Sequence, residues 1–133
     1  MGQIKTIYGI IGRFHTNWQG YLRTYWLLLV LTFLTAVADM FTTIHFMLIE
    51  GPQTEGHPAI RLLSMILGPV FGPLIGKFVQ LGVIVSLTVY LRRGAVYIFV
   101  TVIIIYTWAA WYNIWGQSVY YPRILKLLEY LSS

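Results

Sequence analysis

The chain has 133 residues, 58% of them hydrophobic and only 10% charged, with a formal net charge of +5 and no cysteine. That composition excludes disulfides, thiolate metal sites and cysteine nucleophiles. It also leaves too little polar side chain to cover a soluble globule, in which roughly 25% of residues are charged. The excess of Lys and Arg therefore reads as lipid-headgroup attraction and membrane orientation, with no nucleic-acid partner.

Ile4, Ile7, Tyr8, Ile11, Phe14 and Trp18 recur at helical spacing and predict an amphipathic helix over residues 1–20, lying on the bilayer surface. The first strong apolar run, Tyr25 to Ile49, is too long for a signal-peptide core and lacks a cleavage site. It reads as a retained first span, residues 23–50. Glu50-Gly51-Pro52 stops that helix and opens an outer loop, 51–58. The next apolar stretch is too short for two spans and long for one. Its segment GPVFGPLIG, 68–76, carries Pro69 and Pro73, each of which removes a backbone donor and favours a kink or a fresh helix start. The reading is a short interfacial or re-entrant helix, 59–67, followed by a second span, 69–91. Arg92-Arg93 ends it, and a third span covers 94–116. After Pro122, the residues Ile124, Leu125, Leu127, Leu128 and Leu131 form one apolar face, which predicts an interfacial helix over 122–132.

The predicted fold class is an all-α membrane protein of one domain. It has three transmembrane helices, the second broken at a Gly-Pro segment, with amphipathic interfacial helices at both termini. Lys5, Arg13 and Arg23 precede the first span and Arg92 and Arg93 join the second to the third, whereas the first loop carries Glu50 and Glu55. That bias predicts a cytoplasmic N-terminus, an outward first loop and an outward C-terminus, the last opposed by Arg123 and Lys126. Trp108, Trp111, Tyr112, Trp115, Tyr120 and Tyr121 then form an aromatic belt at the outer interface.

Asp39 is the unusual residue of the first span. It lies ten residues before Ile49, about 15 Å from that end of the helix and so near the bilayer middle. An acid there is costly, and such residues face the protein interior and pair. Thr32, Thr35, Asp39, Thr42 and Thr43 recur at three- and four-residue steps as one polar stripe. Lys77 lies about 12 Å into the second span if that span starts near Pro69, so the depths match from opposite chain directions. We therefore expect an Asp39–Lys77 contact, supported by Gln80 one turn on. Burial drives both groups toward neutrality and proximity drives both toward charge, so an ion pair and a proton-shared neutral pair stay open. A buried pair that only fixes helix register is the plain alternative to a proton or ion pathway.

The loop EGPQTEGHP, 50–58, holds a second polar group. Glu55, His57 and Glu50 could converge on a divalent cation, since carboxylate plus imidazole suits zinc. The simpler reading is that Glu55 caps backbone amides at a helix start opened by Pro58. Gly68, Gly72 and Gly76 fall four apart and form a small-residue ridge that lets another helix approach closely, either the first span or another protein.

Together, Asp39 with Thr43 four residues on, then Glu55-Gly56-His57-Pro58, then Gly68, Phe71 and Lys77, resembles the DUF5658 family of small prokaryotic integral membrane proteins. The family pattern is an Asp and a Thr on the first span, Glu-x-Asn-Pro in the following loop and a Lys in the next span. His57 stands where that pattern has Asn. The resemblance covers about residues 30–95. It implies a three- or four-span bundle in the cytoplasmic (inner) membrane of a prokaryote, groups Asp39, Glu55, Pro58 and Lys77 as the polar positions, and supplies no activity.

The leading functional expectation is a non-enzymatic accessory or scaffold subunit. Its polar cluster fixes the bundle, and its Gly ridge and surface helices bind partner membrane proteins or a second copy within the bilayer. A proton- or ion-coupled small transporter or channel is the alternative, with Asp39 as proton carrier and Lys77 as its gating partner. A membrane-embedded metalloenzyme using Glu55 and His57 is the third. No residue is assigned a catalytic role, and no cofactor is expected beyond the divalent metal of that third reading.

Overall fold

Residue 20 sets the first corner. Gly20 adopts φ +70°, a left-handed conformation open to glycine, and separates α1 (Gly2–Trp18) from α2 (Tyr21–Glu50). The computed structural model describes the backbone of residues 2–118 and 121–133; within that range the side chains of 117–118, 121–124, 126 and 127 are not described. α2 is 30 residues long, about 45 Å at the helical rise, which exceeds the ~30 Å hydrocarbon core of a bilayer. It ends at Gly51, whose N–H bonds Met47 O at 2.9 Å with φ at +90°. A single turn, Pro52–Thr54, leads to α3 (Pro58–Tyr90). A second short turn, Arg92–Gly94, leads to α4 (Ala95–Trp115). A two-residue antiparallel ladder pairs β1 (Gln117–Ser118) with β2 (Tyr121–Pro122), and α5 (Arg123–Ser132) closes the described chain. The structure is therefore essentially all-helical. Three of its helices are long and apolar enough to cross a membrane.

Inside α3 the backbone leaves helical dihedrals at Gly68 (φ 93°, ψ 167°). Eight residues along an unbroken helix would be about 12 Å apart. Here a Cβ on Gly72 would overlap the Ser64 backbone, and one on Gly76 would overlap the Ile60 Cδ1 methyl. The surface that Gly72 and Gly76 offer is thus filled by residues of the same chain. Gly82, further along α3, faces outward, and a Cβ added there would meet nothing within 4 Å.

α2 is the central helix. It packs most extensively on α4 and over a shorter length on α3, while α3 and α4 touch each other little. The apolar core is split in two. At one end Tyr21, Val89, Ala95 and Phe99 are buried, with Phe14, Tyr25, Leu28, Leu29, Ile84 and Val85 packed around them. At the other, Phe46 and Met47 of α2 meet Ile60 of α3. Buried polar side chains occupy the layer between.

The first end is tied by hydrogen bonds as well as packing. Arg92 Nη1 donates to Asn17 O (2.9 Å) and Gln19 O (2.7 Å), so the α3–α4 turn caps the end of α1. Asn17 Nδ2 returns a bond to Tyr90 O, and Tyr25 Oη donates to Arg92 O. The Arg13 guanidinium lies 4.7 Å from the Tyr90 ring centroid, and Tyr21 Oη and Thr88 Oγ1 share a 2.5 Å hydrogen bond. Outward faces of the long helices are large and apolar throughout: Trp26, Phe33, Phe41, Phe71, Phe78, Val83 and Ile104 are all exposed. α1 has no buried residue, and Ile4, Ile7, Tyr8 and Ile11 are exposed along it. Trp108, Trp111, Tyr112 and Trp115 are exposed near the end of α4, with Trp108 stacked on Tyr112 at 5.3 Å. Of the other expected belt residues, Tyr120 and the side chain of Tyr121 lie outside the described residues, as do the side chains of Arg123, Ile124, Lys126 and Leu127 on α5.

Candidate functional site

Each of the three long helices contributes to the middle polar layer. Asp39 projects from α2 and Lys77 from α3, and Lys77 Nζ forms an ion pair with Asp39 Oδ2. Their side chains are 9% and 10% exposed, which puts the charges out of reach of bulk solvent. Lys77 Nζ also donates to Gln80 Oε1 (3.1 Å) and sits 3.9 Å from the Tyr106 ring centroid. All of the ammonium's binding directions are therefore met within the protein: a carboxylate, an amide oxygen and an aromatic face.

α4 completes the layer through two residues that sequence reasoning missed. Tyr106 Oη donates to the same Gln80 Oε1 at 3.1 Å. Asn113 Nδ2 reaches Thr43 Oγ1 (2.9 Å), Thr42 Oγ1 (3.2 Å) and Asp39 Oδ1 (3.4 Å). Thr43 Oγ1 adds a longer bond to Asp39 Oδ1 at 3.5 Å. A signal for both was present. Asn113 is the one amide of the third apolar run, and Tyr106 precedes it by seven residues, two helical turns on the same face.

Thr35 is a correction to the expected cluster. Its hydroxyl donates to Leu31 O (2.9 Å) and Thr32 O (3.1 Å) of its own helix and does not join Asp39. A threonine in an apolar helix satisfies itself most cheaply this way, by bonding the preceding turn. Thr32 is buried, and its hydroxyl oxygen has no hydrogen-bond partner among the described residues.

The loop group acts locally as caps. Glu55 Oε1 accepts from the His57 backbone N–H at 2.9 Å, and His57 Nδ1 accepts from Ile60 N–H at 3.4 Å at the start of α3. Pro58 follows at the first helical position, where its missing N–H costs nothing. Among the described residues no three His, Asp or Glu side chains are grouped to hold a metal ion.

The two polar groups nonetheless share one space. A cavity of about 440 Å³ is lined at one end by Asp39, Thr43, Lys77 and Asn113, with Glu55 and His57 of the loop beside them. Gln80 and Tyr106 line it too, and Val79, Val83, Val102 and Ile105 of α3 and α4 make up an apolar end. Glu50 does not line it. The cavity exists because α3 and α4 each pack on α2 more closely than on each other. Val79, Val83 and Ile105 are 60%, 59% and 55% exposed, so the apolar end opens sideways on the outer surface of the bundle.

No family model, curated protein or solved structure matches this chain. Its chemistry therefore has to be read from these side chains alone. The Asp39–Lys77 pair, joined to α4 through Tyr106 and Asn113, can hold three helices in one register, and the cavity beside it can admit a small guest.

Proposed function

We propose that this chain is a small integral membrane accessory or scaffold subunit, whose buried polar layer fixes the bundle while its apolar faces pack against partner membrane proteins or a second copy. One observation carries the reading: Asp39, Lys77, Gln80, Tyr106 and Asn113 link all three long helices, and they answer one another's hydrogen bonds internally. A buried pair of this kind contributes little net stability but discriminates strongly against wrong registers. We take the protein to be multi-pass in the cytoplasmic membrane of a prokaryote, consistent with the resemblance to the DUF5658 family. α1 and α5 then lie at the interface, and residues 59–67 form a short interfacial or re-entrant segment before a second span that starts at Pro69. We propose a cytoplasmic N-terminus. The approach of Arg13 and Arg92 to one end of the bundle, with Glu50 at the other end of α2 and Glu55 in the loop after it, supports that orientation.

The test is extraction in several mild detergents followed by native mass determination. A stable hetero- or homo-oligomer is expected; a lone monomer in every gentle detergent would refute the reading. The cavity beside Asp39 favours a second reading, a proton- or ion-coupled carrier in which Asp39 takes the proton and Lys77 gates it. Flux into liposomes separates the two. Equal flux for the wild type and Asp39→Asn removes the carrier.

A further inference from the structure

The cavity between α3 and α4 has a charge and a shape that the polar layer does not require. We propose that it is a binding site for a lipophilic organic cation, a guest with one delocalised or amine positive charge on an apolar body.

The shape comes from the lining. A volume of about 440 Å³ falls in the range of small-molecule sites, roughly 300–1,000 Å³. Most of the wall is aliphatic, from Val79, Val83, Val102 and Ile105, and three of these are more than half exposed. A guest dissolved in the bilayer can thus enter sideways between the two helices without first crossing into water.

The charge comes from counting the ionisable groups on the wall. Asp39 and Lys77 cancel as a contact pair. His57 accepts from Ile60 N–H through Nδ1, which requires the neutral ring with its proton on Nε2. Glu55 remains. It is half-buried and fixed by the bond from the His57 amide, and it makes no ion pair among the described residues. The N-terminus of α3 opposes it with a partial charge of about +0.5, which reduces one full negative charge but does not cancel it. Arg61, the nearest cation in sequence, is exposed and does not line the cavity. The net formal charge of the lining is therefore negative, carried by Glu55 at the loop end of the cavity and attracting cations toward it. An anionic amphiphile meets repulsion there and a cationic one attraction. A neutral lipid tail gains only apolar contact, which the surrounding acyl chains supply equally well.

Two ions of nearly the same shape and opposite sign make the test: tetraphenylphosphonium and tetraphenylborate, titrated against the full chain in nanodiscs of zwitterionic lipid, with empty nanodiscs as the partition baseline. Saturable one-to-one binding of the phosphonium is expected, with at least tenfold weaker binding of the borate. Glu55→Gln keeps an amide oxygen for the His57 cap and removes the charge, so it should weaken the phosphonium at least tenfold while leaving the helical circular dichroism unchanged. Val83→Trp fills the open end from an exposed position and should abolish binding independently. Equal affinity for the two ions, no saturable phosphonium binding, or an unchanged affinity in Glu55→Gln would each overturn the proposal.

Discussion

Breaking the Asp39–Lys77 pair from one side should cost far more than removing both charges together. In Lys77→Met the Asp39 carboxylate keeps only the contacts from Asn113 (3.4 Å) and Thr43 (3.5 Å), both long for a charged acceptor. In Asp39→Asn the ammonium keeps Gln80 and the Tyr106 ring but no counter-charge. Unit charges about 4 Å apart interact by ~4 kcal/mol at an effective dielectric near 20. Orphaning one member of a buried pair costs roughly 3–5 kcal/mol. Separated helices in a membrane still find some polar partners, which lowers the measured figure, so about 2 kcal/mol is expected for each single substitution. The double variant Asp39→Asn with Lys77→Met leaves no buried charge and should lie only about 1 kcal/mol below wild type, where additive costs would put it about 4 kcal/mol below. That is a coupling of about 3 kcal/mol, at the upper end of measured pairs. Reversible unfolding in mixed micelles, followed by circular dichroism, reads all four corners of the cycle. Single costs that add to within about 0.5 kcal/mol in the double variant would refute the reasoning, because non-interacting sites behave that way.

Three further outcomes follow from particular contacts. Gly72→Ala should destabilise by about 1–3 kcal/mol, because its methyl meets the Ser64 backbone, whereas Gly82→Ala in the same helix should be neutral or stabilising by up to about 1 kcal/mol; thermal melts of the two in one detergent compare them. Gly68→Ala should cost about 1–3 kcal/mol by forcing an L-residue to φ +93°, and proteolysis between α2 and the second half of α3 should quicken accordingly. Arg92→Ala removes the bonds to Asn17 O and Gln19 O and should cost about 1–2 kcal/mol and raise amide exchange at the α1–α2 corner, while Arg93→Ala at an exposed site should stay within about 0.5 kcal/mol.

Asp39 and Lys77 show how far one-dimensional reading reached into the site. Helical rise converts residue number to depth, and an acid and an amine at one depth in an apolar medium have few partners other than each other. Thr35 shows where that reading failed. Spacing placed it on the polar stripe, but a hydroxyl one turn from Asp39 can bond its own backbone, and it does so. Gly72 and Gly76 were legible as surfaces of close approach. Which segment approaches them was not, because a ridge of small residues specifies a separation and no identity.

Amino-acid order alone determined the class of molecule: three long apolar helices, the corners between them, and a carboxylate and an ammonium set deep in two of those helices. Such properties follow from hydropathy and rise, which accumulate locally along a chain. Only the tertiary structure decided that Tyr106 and Asn113 close the polar layer, that Arg92 caps α1, that Ser64 and Ile60 fill the glycine face, and that Glu55 and Lys77 share a cavity. These depend on how each helix is rotated about its axis and on which neighbour it leans against. That choice is made jointly by side chains distant in sequence, and no local periodicity records it.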